Sequence, residues 1–229
     1  MPQAPTPRHL WPGWRKHGRD RLARRWVQLL VGLFLYGIAI SLMVRAAVGI
    51  SPWDVLAQGI SLKTGMLFGL VTNLVGFFVL LLWLPLREQY GVGTILNALL
   101  VGPSAQLGLW LIPEQTNLFI RVPMFAVGLL LLAFATGLYI GARFGPGPRD
   151  GLMTGLHRRT GIRIWIVRSA LELTVLVIGW LLGGDVGFGT LAFALFVGPL
   201  VHVAMPLLHV PEATQKPPES SEPQRFSSA

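Results

Sequence analysis

The chain has 229 residues, of which 52% are hydrophobic and 13% are charged, and its formal net charge is +9. About a quarter of the residues of an ordinary soluble domain are charged, so this composition excludes a soluble protein built around a conventional core. The sequence contains no cysteine, which excludes disulfides, thiolate metal sites and cysteine nucleophiles. Several nearly uncharged stretches of about 20 residues, the length that crosses a bilayer as a helix, indicate an integral membrane protein.

The basic residues do not indicate nucleic-acid binding, because they are concentrated where a membrane protein needs them. Residues 1–25 are basic and rich in proline, and they lack the cleavage site of a secretory signal, which predicts a disordered cytoplasmic tail. Basic residues beside membrane spans set the topology and contact anionic lipid at the cytoplasmic face. Residues 210–229 are rich in Pro, Glu, Ser and Gln and predict a second disordered tail.

Between the tails, the hydropathy predicts an all-α bundle of about six spans, at 27–48, 66–86, 93–112, 120–142, 163–182 and 188–208. If the N-terminal tail lies inside, six spans place the C-terminus and the arginine-rich connection 143–162 inside as well. The connections on the other side carry few lysines or arginines. The positive-inside bias therefore predicts that the N-terminus and the C-terminus are both cytoplasmic.

One unit of sequence occurs twice, at a constant spacing of 96 residues, which defines a first membrane repeat at 26–112 and a second at 120–209. Roughly a third of positions 31–111 are identical to the residue 96 positions later, and the matches include Gly, Pro, Asp and Thr, which apolar composition alone would not align. Each unit holds three spans, and an odd number makes the second copy enter the membrane from the opposite side. The sequence thus predicts inverted repeats, which are common in secondary transporters with sites at the repeat interface.

The first repeated motif runs from Gly49 to Leu56 and again from Gly145 to Leu152, and it predicts a helix start in each copy. An N-cap is followed by proline at the first helical position and by aspartate at the third, where a carboxylate complements the exposed amides. A Thr-Gly pair ends each helix, which predicts short helices at 52–63 and 148–159. The residues of this helix-cap motif are Ser51, Pro52 and Asp54, and Pro148, Arg149 and Asp150.

Two interpretations of these short helices stay open. They could lie at the membrane surface as connectors, because Trp53, Leu56 and Ile60 share one helix face and the end of the second copy is strongly basic. Alternatively, they could enter the membrane from opposite sides as re-entrant half-helices whose N-termini meet near its middle. In both cases we interpret the two aspartates as structural caps rather than catalytic groups.

The second motif, Gly-x-Gly-Thr followed by Val-Gly-Pro, places Pro103 and Pro199 in the middle of spans and predicts a kink at the same point of both halves. Polar residues lie near these kinks and in two other spans, and two of them, four residues apart, can pair on one helix face. These residues either bind substrate or serve a structural role, as hydrogen-bonding partners between helices or as an ion pair. The candidate substrate-binding residues are Asn97, Gln106, His202, Asn73, Arg168 and Glu172.

The repeated motifs resemble those of the YczE/YyaS/YitT family of bacterial integral membrane proteins. The resemblance covers residues 26–209, and its most specific part is the Gly-Pro-Gly-Pro-Arg-Asp-Gly string that begins at Gly145. It implies a location in the bacterial cytoplasmic (plasma) membrane. It brings no reaction, substrate or site residue with it.

Two functions therefore compete. The first is a small secondary transporter or exporter of an unknown small molecule, with its site at the repeat interface. The second is a non-transporting factor that assists or regulates a partner membrane protein. The sequence shows no metal-ligand cluster, nucleophile elbow or cofactor motif, so we expect no metal, no cofactor and no enzymatic activity. Besides the lipid bilayer, the expected partners are the small molecule and an oligomeric or partner membrane protein.

Overall fold

The protein is described here from a computed structural model, which covers residues 22–208. These residues form eight α-helices, in the order α1 Leu22–Ala46, α2 Pro52–Thr64, α3 Phe68–Leu86, α4 Val92–Leu111, α5 Leu118–Gly141, α6 Pro148–Thr160, α7 Ile164–Leu181 and α8 Phe188–Leu208. Six of them, all except the short α2 and α6, are long and apolar enough to cross a membrane. The predictions of an all-helical protein and of six helices able to span a membrane are confirmed.

The start of α1 is the clearest difference from the predicted boundaries. It begins at Leu22, so residues 22–25 belong to a helix and not to the predicted tail. Their polarity concealed this, because Arg25 is buried and its Nε donates a hydrogen bond of 2.9 Å to Ala142 O. Arg25 satisfies a free carbonyl at the end of α5, so a polar segment that hydropathy alone would leave outside the membrane can form the start of α1. The remainder of both predicted tails lies outside the described residues.

The four helices of each half begin 96 positions apart. The pairs of first residues are Leu22 and Leu118, Pro52 and Pro148, Phe68 and Ile164, and Val92 and Phe188. The turns after the short helices also repeat, because Gly65 and Gly161 end α2 and α6 in the left-handed conformation with φ angles of 73° and 71°. The predicted helix stops are thereby confirmed.

α1 and α5 run antiparallel along the centre of the bundle, and equivalent arginines tie their ends together. Arg25, near the start of α1, donates to Ala142 O and to Arg143 O at the end of α5. Arg121, near the start of α5, donates to Ala46 O and Ala47 O at the end of α1. Each arginine therefore satisfies the free carbonyls of the other half, at the helix end where a positive charge is favourable.

The short helices cross between the halves, since α2 packs against α7 and α6 packs against α3. Glycines permit the first of these contacts: a methyl group added at Gly179 would lie 2.5 Å from Leu56 N. In the second contact, the ring of Trp83 lies over Gly151, and Trp83 Nε1 donates to Pro148 O at 3.0 Å. Neither half is complete without the short helix of the other.

The N-terminal ends of α2 and α6 are buried and their C-terminal ends are exposed. Ser51 and Asp54 are buried, and so is Pro148, whereas Lys63 and Arg159 are exposed. The predicted cap of α2 is confirmed, because Ser51 Oγ accepts a hydrogen bond of 3.3 Å from Asp54 N. A surface connector would expose one face along its whole length, so this burial favours re-entrant half-helices.

α4 and α8 continue as helices through Pro103 and Pro199. Both proline rings are exposed on the surface of the described chain. The mid-helix position of both prolines is as expected, whereas the kinks at these two positions stay a prediction.

Candidate binding cavity

A cavity of about 260 Å³ lies inside the bundle, and residues from all eight described helices line it. It adjoins the buried N-terminal ends of both short helices, since Trp53 of α2 and Pro148 of α6 are part of its wall. The wall also contains charged, amide, hydroxyl and aromatic side chains. A membrane protein rarely holds such groups in its interior without a cavity or pathway that uses them.

An ion pair joins the two repeated motifs at this wall. Arg149 Nη2 lies 3.4 Å from Asp54 Oδ1, and the Asp54 side chain is only 1% exposed. Ser51 Oγ donates a short hydrogen bond to the other oxygen of the same carboxylate. The Arg149 guanidinium also lies over the Trp53 ring, 5.3 Å from its centre, in a cation–π contact. The buried Asp54 charge is thus paired and hydrogen-bonded, as burial requires.

Asp150 occupies the position of the second half that Asp54 occupies in the first, but it has different surroundings. Asp150 lines the cavity, and its Oδ2 accepts a hydrogen bond of 3.4 Å from the Tyr139 hydroxyl. The ring of Tyr36 meets that of Tyr139 edge to face, with centres 5.9 Å apart. One aspartate is sealed into the contact between the halves, while its equivalent faces the cavity.

Four of the six candidate substrate-binding residues line the cavity, namely Asn73, Asn97, Arg168 and Glu172. Arg168 Nε and Glu172 Oε1 lie 3.0 Å apart, so the predicted pairing on one helix face is present. Asn73 connects α3 to α4 through its amide, since its Oδ1 accepts from Gly102 N at 3.0 Å. The Asn97 amide, in contrast, has no hydrogen-bond partner among residues 22–208.

The structure does not bring Gln106 and His202 into the cavity, although they occupy equivalent positions. Gln106 Oε1 accepts a hydrogen bond of 3.0 Å from Gly69 N, which fastens α4 to α3. His202 is exposed on α8. The two side chains are not brought together, because α4 packs against α1 and α3, whereas α8 packs against α5.

The cavity wall has four aromatic residues that were not singled out from the sequence as candidate site residues, namely Tyr36, Trp53, Tyr139 and Phe193. Nothing in the repeated pattern marked Tyr36 and Tyr139 as site residues, because the residues at the equivalent positions of the other half are the apolar Leu132 and Met43. The pattern did mark Trp53, since it stands at the position of Arg149 in the other repeated motif. The aromatic residue and the cation at these equivalent positions stack on each other in the structure.

Within the described part of the chain, no group of three or more His, Asp or Glu side chains is placed to hold a metal ion. The charged groups of the wall are two arginines and two carboxylates, Arg149 and Arg168 with Asp150 and Glu172. Together with the uncapped end of α6 and the tyrosine hydroxyls, they form a wall with the chemistry to bind a small polar group.

Comparison with known proteins gives relatives of similar length. The chain is 38% identical over 187 residues to an uncharacterized protein of Haemophilus influenzae, a match that covers 80% of this chain and 86% of the relative. It is 30% identical over 190 residues to the uncharacterized membrane protein YczE of Bacillus subtilis, with 82% and 88% covered.

A third relative, the uncharacterized protein YyaS of Bacillus subtilis, is 26% identical over 182 residues, with 78% of this chain and 90% of the relative covered. The resemblance to YczE and YyaS is thereby confirmed, whereas no solved structure matches the chain. Residues 23–206 match the model of a family of unknown function, DUF6198, and the chain belongs to that family.

Proposed function

We propose that this protein is a small secondary transporter or exporter, which binds a small molecule in the cavity where two inverted repeats meet. The observation that carries the proposal is the cavity itself, lined by all eight described helices in a protein with six membrane-crossing helices. Ionisable residues are costly inside a membrane and usually face a substrate pathway. The role assigned to the cavity is binding, with no chemical step.

Reciprocal contacts support the inverted relation of the repeats. Gly93 N donates to Phe144 O at 2.9 Å, and the equivalent Gly189 N donates to Val48 O at 2.6 Å. A two-fold axis produces such contacts, in which residue i meets j and j meets i. Because α1 and α5 run antiparallel, an axis that exchanges them lies perpendicular to the spans and therefore in the plane of the membrane.

The buried ends of α2 and α6 support the same mechanism. In transporters with inverted repeats, discontinuous or half-length helices place their N-termini at the substrate near the middle of the membrane. Here those ends meet through Arg149 and Asp54 at the cavity wall. Rocking of one group of helices against the other about this contact would open the cavity to one side at a time.

We further propose that the protein resides in the bacterial plasma membrane with both termini cytoplasmic. The positive-inside bias supports this orientation. The grouping of the connections agrees with it, because Arg158 of α6 pairs with Glu88, which follows α3, and both positions are predicted to be inside.

Single cysteines introduced into this cysteine-free chain test the inversion and the orientation together. Lys63→Cys and Arg159→Cys are 96 positions apart, and both native residues are exposed. A membrane-impermeant maleimide added to intact cells is expected to label Lys63→Cys and to leave Arg159→Cys unlabelled until the cells are opened. Labelling of both positions from the same side would show that the repeats are parallel.

The binding function is tested by thermal shift of the purified protein against a panel of small organic acids, amines and zwitterions. A compound that binds the folded state raises its unfolding temperature. The shift is expected to disappear in Asn97→Ala and to persist in Gln106→Ala, because only the first of these α4 amides lines the cavity. The stabilising compound is then tested for counterflow in proteoliposomes.

The other candidate function has a distinct outcome in the same experiments. If no compound stabilises the protein while one membrane protein co-purifies in a fixed ratio, the chain acts as a non-transporting factor for that partner. If binding occurs without counterflow, the cavity serves a sensor rather than a transporter.

A further inference from the structure

The third and fourth helices are joined in the first half and separated in the second. α3 packs along α4, whereas within residues 22–208 no comparable packing joins α7 to α8. A methyl group added at Gly102 would lie 2.1 Å from both Asn73 Oδ1 and Gly69 O. One added at the equivalent Gly198 would meet no atom within 4 Å. A gap therefore exists on α8 where α4 has a close helix contact.

The cause of the gap can be read from three positions. The contact of α3 with α4 depends on Gly69, Asn73 and Gln106, which supply the close backbone approach and the hydrogen bonds to backbone amides. The equivalent residues of the second half are Trp165, Ser169 and His202. Tryptophan holds the helices apart where glycine lets them meet, and serine is too short to replace the asparagine bridge.

The gap leads into the cavity. Arg168 and Glu172 of α7 and Val197, Gly198 and Val201 of α8 all line the cavity. The spanning stretches of α7 and α8 are 17% and 11% buried, against 33% and 50% for α3 and α4. The cavity wall between α7 and α8 is thus the side with the least protein over it, and in a bilayer that side faces lipid.

The groups left without partners in the cavity are mostly hydrogen-bond donors. Trp53 is only 6% exposed, and its Nε1 is buried without a hydrogen-bond partner. The Asn97 amide is also unpartnered within the described chain, and the N-terminus of α6 has no side-chain cap. The carboxylates are already bonded, Asp150 to Tyr139 and Glu172 to Arg168. Asp150 lies in the first turn of α6 and complements its positive end. The unpartnered Trp53 and Asn97 donors, together with the Arg149 guanidinium of the same wall, favour an anionic oxygen ligand.

We infer, on the basis of the proposed function, that the cavity receives its ligand from the bilayer through the gap between α7 and α8, and that this ligand is an amphiphile with a carboxylate or phosphate head. The head accepts hydrogen bonds from Trp53 and Asn97 beside the Arg149 guanidinium. The tail lies in the gap against Phe193, Val197 and Val201, which have no polar atoms in their side chains.

Photo-crosslinking tests the ligand class. The full-length protein is placed in phosphatidylcholine vesicles that contain oleate with a diazirine in its chain, and crosslinked residues are mapped by mass spectrometry. We expect crosslinks at Phe193, Val197 and Val201, suppressed by unlabelled oleate and not by acetate. Competition by phosphatidic acid instead of oleate would assign a phosphate head. Even labelling of all six spans without competition would overturn the inference.

Variants separate the head site from the entry route. Trp53→Phe keeps the ring and removes the N–H, and it is expected to weaken competition by oleate about 10-fold, the lower value for a hydrogen bond to a charged group. Trp110→Phe, on the exposed face of α4, is its control. Gly198→Leu fills the empty space beside the gap and is expected to abolish the crosslinks without lowering the unfolding temperature. Persistent crosslinks in Gly198→Leu would overturn the lateral route.

Two further outcomes keep this inference distinct from the proposed function. If a water-soluble compound from the panel binds and undergoes counterflow equally in the native protein and in Gly198→Leu, transport stands and the route from the bilayer is wrong. If Val201→Cys forms a disulfide-linked dimer in vesicles and oleate does not suppress it, a second copy of the chain fills the gap and the ligand assignment is wrong.

Discussion

The two halves of this protein share their helix starts but differ in how each is closed. In the first half, α3 and α4 meet through Gly69 and Gly102, and the cap residue Ser51 seals the aspartate of the short helix. In the second half, α7 and α8 are apart, and Gly147 leaves the equivalent end of α6 without a side-chain cap. Residues that shape the backbone repeat, whereas most of the polar and charged residues around the cavity do not.

This difference shows how an architecture with two-fold repetition can hold a cavity without two-fold repetition. The wall of α7 carries Arg168 and Glu172 where α3 carries Thr72 and Gly76. The charges of the candidate site therefore come largely from the second half, while the first half supplies the rigid, closely packed side. Variants at equivalent positions of the two halves test this difference.

The largest effect is expected at the contact between the halves. Arg149→Leu leaves the Asp54 carboxylate, which is 1% exposed, without its charged partner. Removing one member of a buried ion pair costs about 3 kcal/mol of unfolding free energy, measured as a lower thermal midpoint. The double variant Asp54→Asn/Arg149→Leu removes both charges of this pair and should recover most of the loss in a thermodynamic cycle. A single variant no less stable than the double variant would show that the pair does not join the halves.

The next largest loss of stability is expected where α3 packs against α4, in contrast to the gap between α7 and α8. In Gly102→Ala the new methyl group meets the Gly69 carbonyl at 2.1 Å, which forces α3 and α4 apart. Such overpacking costs about 2 kcal/mol. Gly198→Ala places its methyl group in open space and gains helix propensity, so its stability should be unchanged or higher by up to about 1 kcal/mol. Equal destabilisation of both variants would contradict the open gap.

The smallest loss of stability is expected at the equivalent arginines, which both halves use to tie the ends of α1 and α5 together. Arg25→Ala and Arg121→Ala each remove the hydrogen bonds to two carbonyls at the end of the opposite central helix. Each loss is expected to cost about 1.5 kcal/mol, the lower value for hydrogen bonds to a charged group. Arg25 also lies over the Phe144 ring at 4.6 Å. The unfolding free energy of Arg25→Ala should therefore be lower than that of Arg121→Ala by about 0.5 kcal/mol. A large loss in one variant alone would contradict the reciprocal arrangement.

Much of the fold followed from local patterns. The Ser-Pro-Trp-Asp and Gly-Pro-Arg-Asp sequences predicted the start of both short helices at Pro52 and Pro148, where the structure has them. These predictions succeed because caps, prolines and turn glycines act over a few residues. The start of α1 was placed too late, because the burial of Arg25 depends on carbonyls more than a hundred positions away.

The candidate site was less predictable. Asn97, Arg168 and Glu172 were recognised because polar residues are conspicuous in apolar spans, and they do line the cavity. Gln106 was recognised for the same reason, yet it bonds to the Gly69 amide outside the cavity. Spacing along a helix tells which residues share a face, but it does not tell which neighbour that face meets.

Hydropathy, capping and composition are properties of neighbouring residues. For that reason the membrane character, the six helices able to cross a membrane, the short helices and the 96-residue repetition were predictable from the sequence. Three-dimensional packing was needed to find that α2 crosses to α7 and α6 to α3, that Arg149 reaches Asp54, and that the second half leaves a gap. Those features depend on which distant surfaces fit together, and fit depends on shape and distance in three dimensions.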